Sequence, residues 1–301
     1  MSALSRNLLP EDLPSSSEGL LQPPPSPVID LGRFGLDPAT RSRVVDDVAK
    51  ACRDLGYFQV INHGISQSVM DGAVEAASEF FKLPGKAATL FLMNFPFVCS
   101  NNSSFLFAET REYMGKYAVE VRRVALQLME AILEGLGLGR GYLHEKFQEG
   151  LQLLALNCYP KVSQGGGTTV GLASHSDYGF LTILLTNRPG LEVADRSSSS
   201  WKKVLHLPHA LDVHVGDHLE VLSNGRIKTV VHRAVLNPEE ERISVASIHG
   251  FAMHEKVARA KELVDEQNPQ KYKDSSFVDF LDHLTANMGD KNRNFLESLR
   301  M

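Results

Sequence analysis

The stretch SHSDYGFLTILL, residues 174–185, has the apolar character of a buried strand yet opens on His175 and Asp177. Burying either group unpaired is costly, so both must face a partner. Side chains two apart on a strand share a face, so the imidazole and the carboxylate converge, either as a hydrogen-bonded strand terminus or as part of a metal site. His232, in TVVHRAVLN, shares its face with the apolar Val230, Ala234 and Leu236, the surroundings of a core histidine or of a ligand. In RIS, Arg242 and Ser244 share a face that continues through Ala246 and Ile248. A guanidinium aimed at an apolar interior needs an anion, supplied by an internal salt bridge or by a bound carboxylate that the arginine and the hydroxyl grip together. No acidic residue in the neighbouring strands obviously supplies it.

The elements that must carry these groups are strands. From residue 153 to 250 the apolar period is two, in LLALNCY, FLTILL, LEV, WKKV, ALDVHV, LEVLS, IKTVVHRAVL and RISVASIHG. Short strands divided by turn signals predict a sandwich, barrel or jelly roll, and the Asn-Gly of SNGR at 223–226 suits a tight hairpin. Helices precede this region. The spacing of Val44, Val45, Val48, Ala49, Cys52 and Leu55 predicts one over 43–55, stopped by Gly56. Ser66 is a natural N-cap for a second, through Val69, Ala73, Ala77 and Phe80 to the break at Pro84. A third runs from Glu112 to about Leu136 with Met114, Tyr117, Val121, Val124, Leu128 and Ile132 on one stripe. A short strand at 27–31, the strand and turn of YFQVINHG at 57–64 and a helix at 275–286 complete the reading. Two further groups have ligand-like spacing, Asp212-Val-His214 and His218-Leu-Glu220. Alternation sets Asp212 and His214 against the apolar Leu211, Val213 and Val215, which predicts a solvated outer face for the pair, with Asp217 serving a turn.

Composition bounds the partners. The 301 residues are 43% hydrophobic and 22% charged, with 31 basic against 36 acidic side chains and a net charge of -5. That balance gives no electrostatic reason to expect nucleic acid or an anionic membrane, so small molecules are the expected partners; a monomer is the expected state. Cys52, Cys99 and Cys158 include no CxxC, which predicts a reducing, cytoplasmic setting without a disulfide framework. The Pro- and Ser-rich residues 1–26 read as a flexible lead-in, and the apolar stretch at 87–98 falls short of a membrane span.

Taken together, two histidines and one aspartate leave three adjacent coordination positions open, the arrangement of non-haem Fe(II) oxygenases, with an Arg-x-Ser to hold the far end of a dicarboxylate. Here the chain resembles the plant-type 2-oxoglutarate and Fe(II)-dependent dioxygenases, the superfamily of flavanone 3-dioxygenase-like and gibberellin-oxidase-like enzymes with the isopenicillin N synthase-like fold. Their pattern is His-x-Asp, a distal His, and Arg-x-Ser about ten residues later; NHG at 62–64, NCYP at 157–160 and GDHLEVLSNGR at 216–226 are similar to further landmarks. The resemblance covers residues 27–86 and 111 to the end. It implies a mainly β fold with flanking helices: a double-stranded β-helix (jelly-roll) core, a helical N-terminal region and a C-terminal helix. The implied divisions are an N-terminal region at 27–110, a long helix at 111–150, the Fe(II)/2-oxoglutarate core at 151–255 and a helical tail at 256–301.

The same resemblance implies that His175, Asp177 and His232 hold Fe(II), and that Arg242, Ser244, Tyr159 and Asn157 contact 2-oxoglutarate, with no catalytic side chain beyond the metal centre. It further implies dioxygen as oxidant, ascorbate as reductant, and hydroxylation or desaturation of a small plant metabolite such as a flavonoid or related phenolic. An ascorbate-using relative that dispenses with 2-oxoglutarate is a further option. Residues 87–110 depart from the family. Five phenylalanines crowd into residues 91–107 beside SNNSS, a composition unlike a patterned strand, as in a replaced or mis-spliced segment. The alternative function is therefore a variant that binds metal and co-substrate but turns substrate over poorly.

Overall fold

The computed structural model describes residues 26–83, 89–93, 108–162, 169–198, 200–287 and 294–301. The strands are β1 (Val28–Asp30), β2 (Tyr57–Ile61), β3 (Thr89–Met93), β4 (Gln152–Tyr159), β5 (Val170–His175), β6 (Leu181–Thr186), β7 (Leu191–Ala194), β8 (Trp201–Lys203), β9 (Leu211–Val215), β10 (His232–Val235) and β11 (Arg242–His249). The helices are α1 (Pro38–Asp54), α2 (Gln67–Lys82), α3 (Ala108–Gly135), α4 (His144–Gln148), α5 (Asp217–Leu222), α6 (Phe277–Ala286) and α7 (Phe295–Leu299). Two sheets form, one in the order β1-β2-β9-β6-β11-β4-β3 and one in the order β5-β10-β7-β8. All pairings are antiparallel except β1 with β2. This is the expected mainly β jelly roll with flanking helices.

The helices cover one face of the larger sheet. Met114, Tyr117, Val121, Val124, Leu128 and Ile132 of α3 are all fully buried and share one core with Val44, Val45 and Val48 of α1. Asp37 caps α1 by accepting from Ala39 N and Thr40 N, and Ser66 caps α2 by accepting from Val69 N, so first-turn donors are satisfied. Leu211, Val213 and Val215 of β9 point into this same core. Alternation then turns Asp212 and His214 toward the space between the sheets, where they are buried, 7% and 1% exposed. The expected solvated face is thus corrected: a sheet packed on both sides has no outer face, and period two reveals only which residues point together.

Four other expectations change. LEVLS is not a strand but the body of α5, which begins after the extended Gly216 with Asp217 and Glu220 in its first turn. Asn224 and Gly225 do take positive φ, 51° and 78°, but they close this helix instead of a hairpin. SHSD is not the start of one long strand: His175 ends β5, and Asp177 lies in the turn before β6. Thr89–Met93, expected to be unlike a strand, pairs with β4 at the sheet edge. Residues 87–88 and 94–107 of that atypical segment and residues 1–25 of the lead-in lie outside the described residues. Among the described residues no helix is long and apolar enough to cross a membrane.

Candidate metal and co-substrate site

Antiparallel pairing of β10 with β5 puts His232 directly across from His175, and their ring centroids lie 4.3 Å apart. Asp177 reaches the pair from the turn. Its Oδ1 is 3.8 Å from His175 Nε2, and its Oδ2 is 3.8 Å from His232 Nε2. One ligand atom from each of the three lies within 4.8 Å of the others, and all three side chains are buried. The turn is held from two sides. Asp217 N donates to Asp177 O at 2.8 Å and His218 N to Tyr178 O at 3.2 Å, so the start of α5 satisfies the loop carbonyls. From α6, Phe280 stacks on Tyr178 with centroids 4.9 Å apart.

The histidine tautomers follow from their backbone partners. His175 Nδ1 lies 2.7 Å from Ala173 O and His232 Nδ1 lies 3.3 Å from Val230 O. A carbonyl only accepts, so Nδ1 carries the hydrogen in each ring and Nε2 keeps the lone pair that faces the cluster. Burial holds both imidazoles below the usual histidine range, His232 furthest, because the His175 and His214 rings add to the effect. Both are therefore neutral at neutral pH, as ligation requires. Burial raises the Asp177 carboxyl, but the attraction of His232, His214 and His175 more than cancels it, so the group is held ionised below its ordinary value. Among the described residues, Asp177 Oδ2 has no hydrogen-bond partner although it is buried. Two lone-pair nitrogens and a buried, ionised carboxylate converging on one point fit a divalent cation, and the N, N, O donor set with open positions suits Fe(II).

The other end of the cavity is built by the β4/β11 ladder, which sets Arg242 across from Tyr159 and Ser244 across from Asn157. Arg242 is 1% exposed, lies 5.0 Å from the Tyr159 ring centroid and donates from Nε to Arg188 O at 3.2 Å. Among the described residues no carboxylate forms an ion pair with it. Gly190, at φ 139°, lets the chain pass, since a Cβ there would stand 3.0 Å from Arg242 Cδ. Burial raises the Tyr159 hydroxyl above its usual value, opposed by the Arg242 charge and the Ser244 hydroxyl. A buried cation flanked by two hydroxyl donors fits the distal carboxylate of a diacid.

All seven residues expected from sequence, Asn157, Tyr159, His175, Asp177, His232, Arg242 and Ser244, line one cavity. The same cavity takes in residues that sequence reasoning missed. Thr182 and His214, cross-strand neighbours on β6 and β9, join its wall. Arg233 pairs with the fully buried Glu192 at 2.7 Å and lies over Trp201, clamping β10 beside His232. The rival group does not assemble: His218 Nε2 pairs with Ser275 Oγ, while Glu220 takes Tyr272 and Lys228.

A jelly roll whose interior joins a two-histidine, one-carboxylate cluster to a buried, anion-seeking arginine is the architecture of a non-haem metal enzyme with a diacid co-substrate. Comparison with known proteins agrees. Residues 150–250 match the 2OG-Fe(II) oxygenase superfamily, and residues 26–89 match the non-haem dioxygenase in morphine synthesis N-terminal family. The chain is 63% identical to flavanone 3-dioxygenase 3 of Oryza sativa subsp. japonica over 100% of both proteins. It is 52% identical to 2-oxoglutarate-dependent dioxygenase 21, chloroplastic, of the same organism, over 93% of this chain and 92% of the relative. The crystal structure of JOX2 in complex with 2OG, Fe, and JA superposes with a TM-score of 0.76 at 27% identity, covering 94% of this chain and 89% of that one. The chain belongs to the 2-oxoglutarate and Fe(II)-dependent oxygenase superfamily: it is an oxidoreductase that uses Fe(II), 2-oxoglutarate, dioxygen and a small-molecule substrate.

Proposed function

We propose that the protein hydroxylates a flavonoid or a related phenolic of plant metabolism, with Fe(II) held by His175, Asp177 and His232. Arg242, Ser244 and Tyr159 bind the distal carboxylate of 2-oxoglutarate, and Asn157 lines its path. The observation that carries this reading is the meeting, in one cavity, of three mutually close ligand atoms and a buried guanidinium without an acidic partner among the described residues. The phenolic substrate is supported by the 63% identity to a protein named for a flavanone.

Once bound, Fe(II) and 2-oxoglutarate supply the activation of dioxygen, releasing succinate and CO₂ and delivering one oxygen atom to a substrate C–H bond. The chain's own residues orient and protect. Ala173 O and Val230 O fix the two ligand rings, Arg242 and its hydroxyl neighbours set the direction of the diacid, and the buried walls of β6 and β11 exclude water. Ascorbate is the proposed reductant, the proposed state is a cytoplasmic monomer without nucleic-acid or membrane partners, and desaturation is the variant outcome. Our proposed core spans residues 151–255.

The test is Fe(II)- and 2-oxoglutarate-dependent turnover against a panel of flavanones, other phenolics and terpenoids, with Asp177→Ala as control. We expect hydroxylated phenolic and succinate in equal amounts; product from terpenoids alone would overturn the substrate class. A second reading has one observation in its favour. The alignment with the flavanone 3-dioxygenase runs over 330 positions against 301 residues here, so this chain lacks residues that the relative has. Succinate formed without any hydroxylated product would identify a variant that binds metal and co-substrate but does not complete turnover.

A further inference from the structure

His214 is buried at the edge of the metal cluster, and no hydrogen bond described so far employs it. It is 1% exposed, its ring centroid is 4.3 Å from that of His232, and its Nδ1 is 3.8 Å from Asp177 Oδ2. Among the described residues neither of its ring nitrogens has a hydrogen-bond partner, and neither does Asp177 Oδ2. Buried polar atoms are rarely left so, and here a ring nitrogen and a carboxylate oxygen lie 3.8 Å apart, just beyond hydrogen-bond distance. His214 is not a member of the group of ligand atoms that lie within 4.8 Å of one another, so it stands behind the ligands and not among them.

We propose that His214 is a positioning residue of the metal centre: its Nδ1–H takes up Asp177 Oδ2, leaving Oδ1 alone to the metal. The inference rests on the reading of His175, Asp177 and His232 as ligands. Its consequence is a coordination count. A carboxylate bound through one oxygen leaves three positions open, enough for a two-point co-substrate and dioxygen, whereas a chelating carboxylate leaves two. Ligating carboxylates in metal sites are commonly held in this way by a second hydrogen bond. With Nδ1 donating, Nε2 keeps its lone pair, and Thr182, paired with His214 across β6 and β9, brings a buried hydroxyl that also lacks a partner.

The test is anaerobic titration of the metal-free protein with Co(II), followed by absorption and by calorimetry. His214→Phe keeps an aromatic ring and removes the donor; it should weaken Co(II) binding by about tenfold and alter the absorption spectrum of the bound metal. His214→Asn, which restores an amide donor, should stay within about threefold of the unaltered protein, with its spectrum. If His214→Phe does not fold, His214→Ala takes its place with the same expectation. Affinity and spectrum unchanged in the donor-less variant would overturn the proposal, as would a loss that His214→Asn fails to rescue, or an X-ray absorption spectrum counting three imidazoles on the metal. Asp177→Ala separates the two levels: Co(II) binding retained there would overturn the ligand assignment itself.

Discussion

Arg242 carries a full charge in a place that is 1% exposed, with no carboxylate paired to it among the described residues. Burial lowers its pKa, and the nearby Tyr159 and Asp212 only partly offset this, so the site is incomplete until an anion enters. Arg242→Ala should therefore weaken 2-oxoglutarate binding by about 3–5 kcal/mol, or roughly two to three and a half decades in affinity. Anaerobic titration with the co-substrate checks this, and a loss of less than about threefold would speak against the assignment. The types and spacings of His175, Asp177, His232, Arg242 and Ser244 were legible from sequence because each places a polar group among apolar neighbours. His214 and Asp212 do the same, yet they were read as solvated. The pattern was identical; what lay beyond each face was not in it.

At the scale of elements, the Asp177 turn depends on close backbone packing. A Cβ on Gly216 would lie 2.2 Å from Gly179 O and 2.9 Å from Asp177 O, both backbone atoms that cannot swing aside. Gly216→Ala should thus cost about 1–3 kcal/mol of stability and loosen Asp177 from the cluster. Urea unfolding measures the first effect and Co(II) affinity the second; normal metal binding in a destabilised variant would show that the turn tolerates the shift. The same region shows why local pattern failed. LEVLS has the composition of a strand, but the carbonyls of Asp177 and Tyr178 accept from the first backbone N–H groups of α5, so the segment forms a helix against the turn. Propensity is a weak prior where such long-range bonds compete.

For the whole molecule, the buried histidines set the response to pH. Burial lowers His218 and His249 to about 3, against 6.5 for the free group. The folded-state values lie below the unfolded ones, so the stability they contribute is complete above pH 6.5 and is lost as pH falls toward 3. Each should account for about 2 kcal/mol of that loss by pH 5. Asp217 has the opposite sign: burial raises it from 3.8 to about 7, so its contribution is complete below pH 3.8 and is lost as pH rises from there to about 7. Urea midpoints measured across pH should rise from acid toward neutrality, with a shallower acid limb in His249→Asn and a steeper one in Asp217→Asn, where the opposing slope is removed. Equal slopes in variants and parent would contradict these assignments. The sequence by itself determined the three N-terminal helices and the strand-rich region after them, the α3 core stripe, and seven of the residues that meet in the cavity, because periodicity and unmatched polarity are local properties. Only the tertiary structure decided which face of β9 lies between the sheets, that α5 is a helix and that Asp177 acts from a turn. Those outcomes rest on contacts between segments far apart in the chain, and no local pattern encodes the partner.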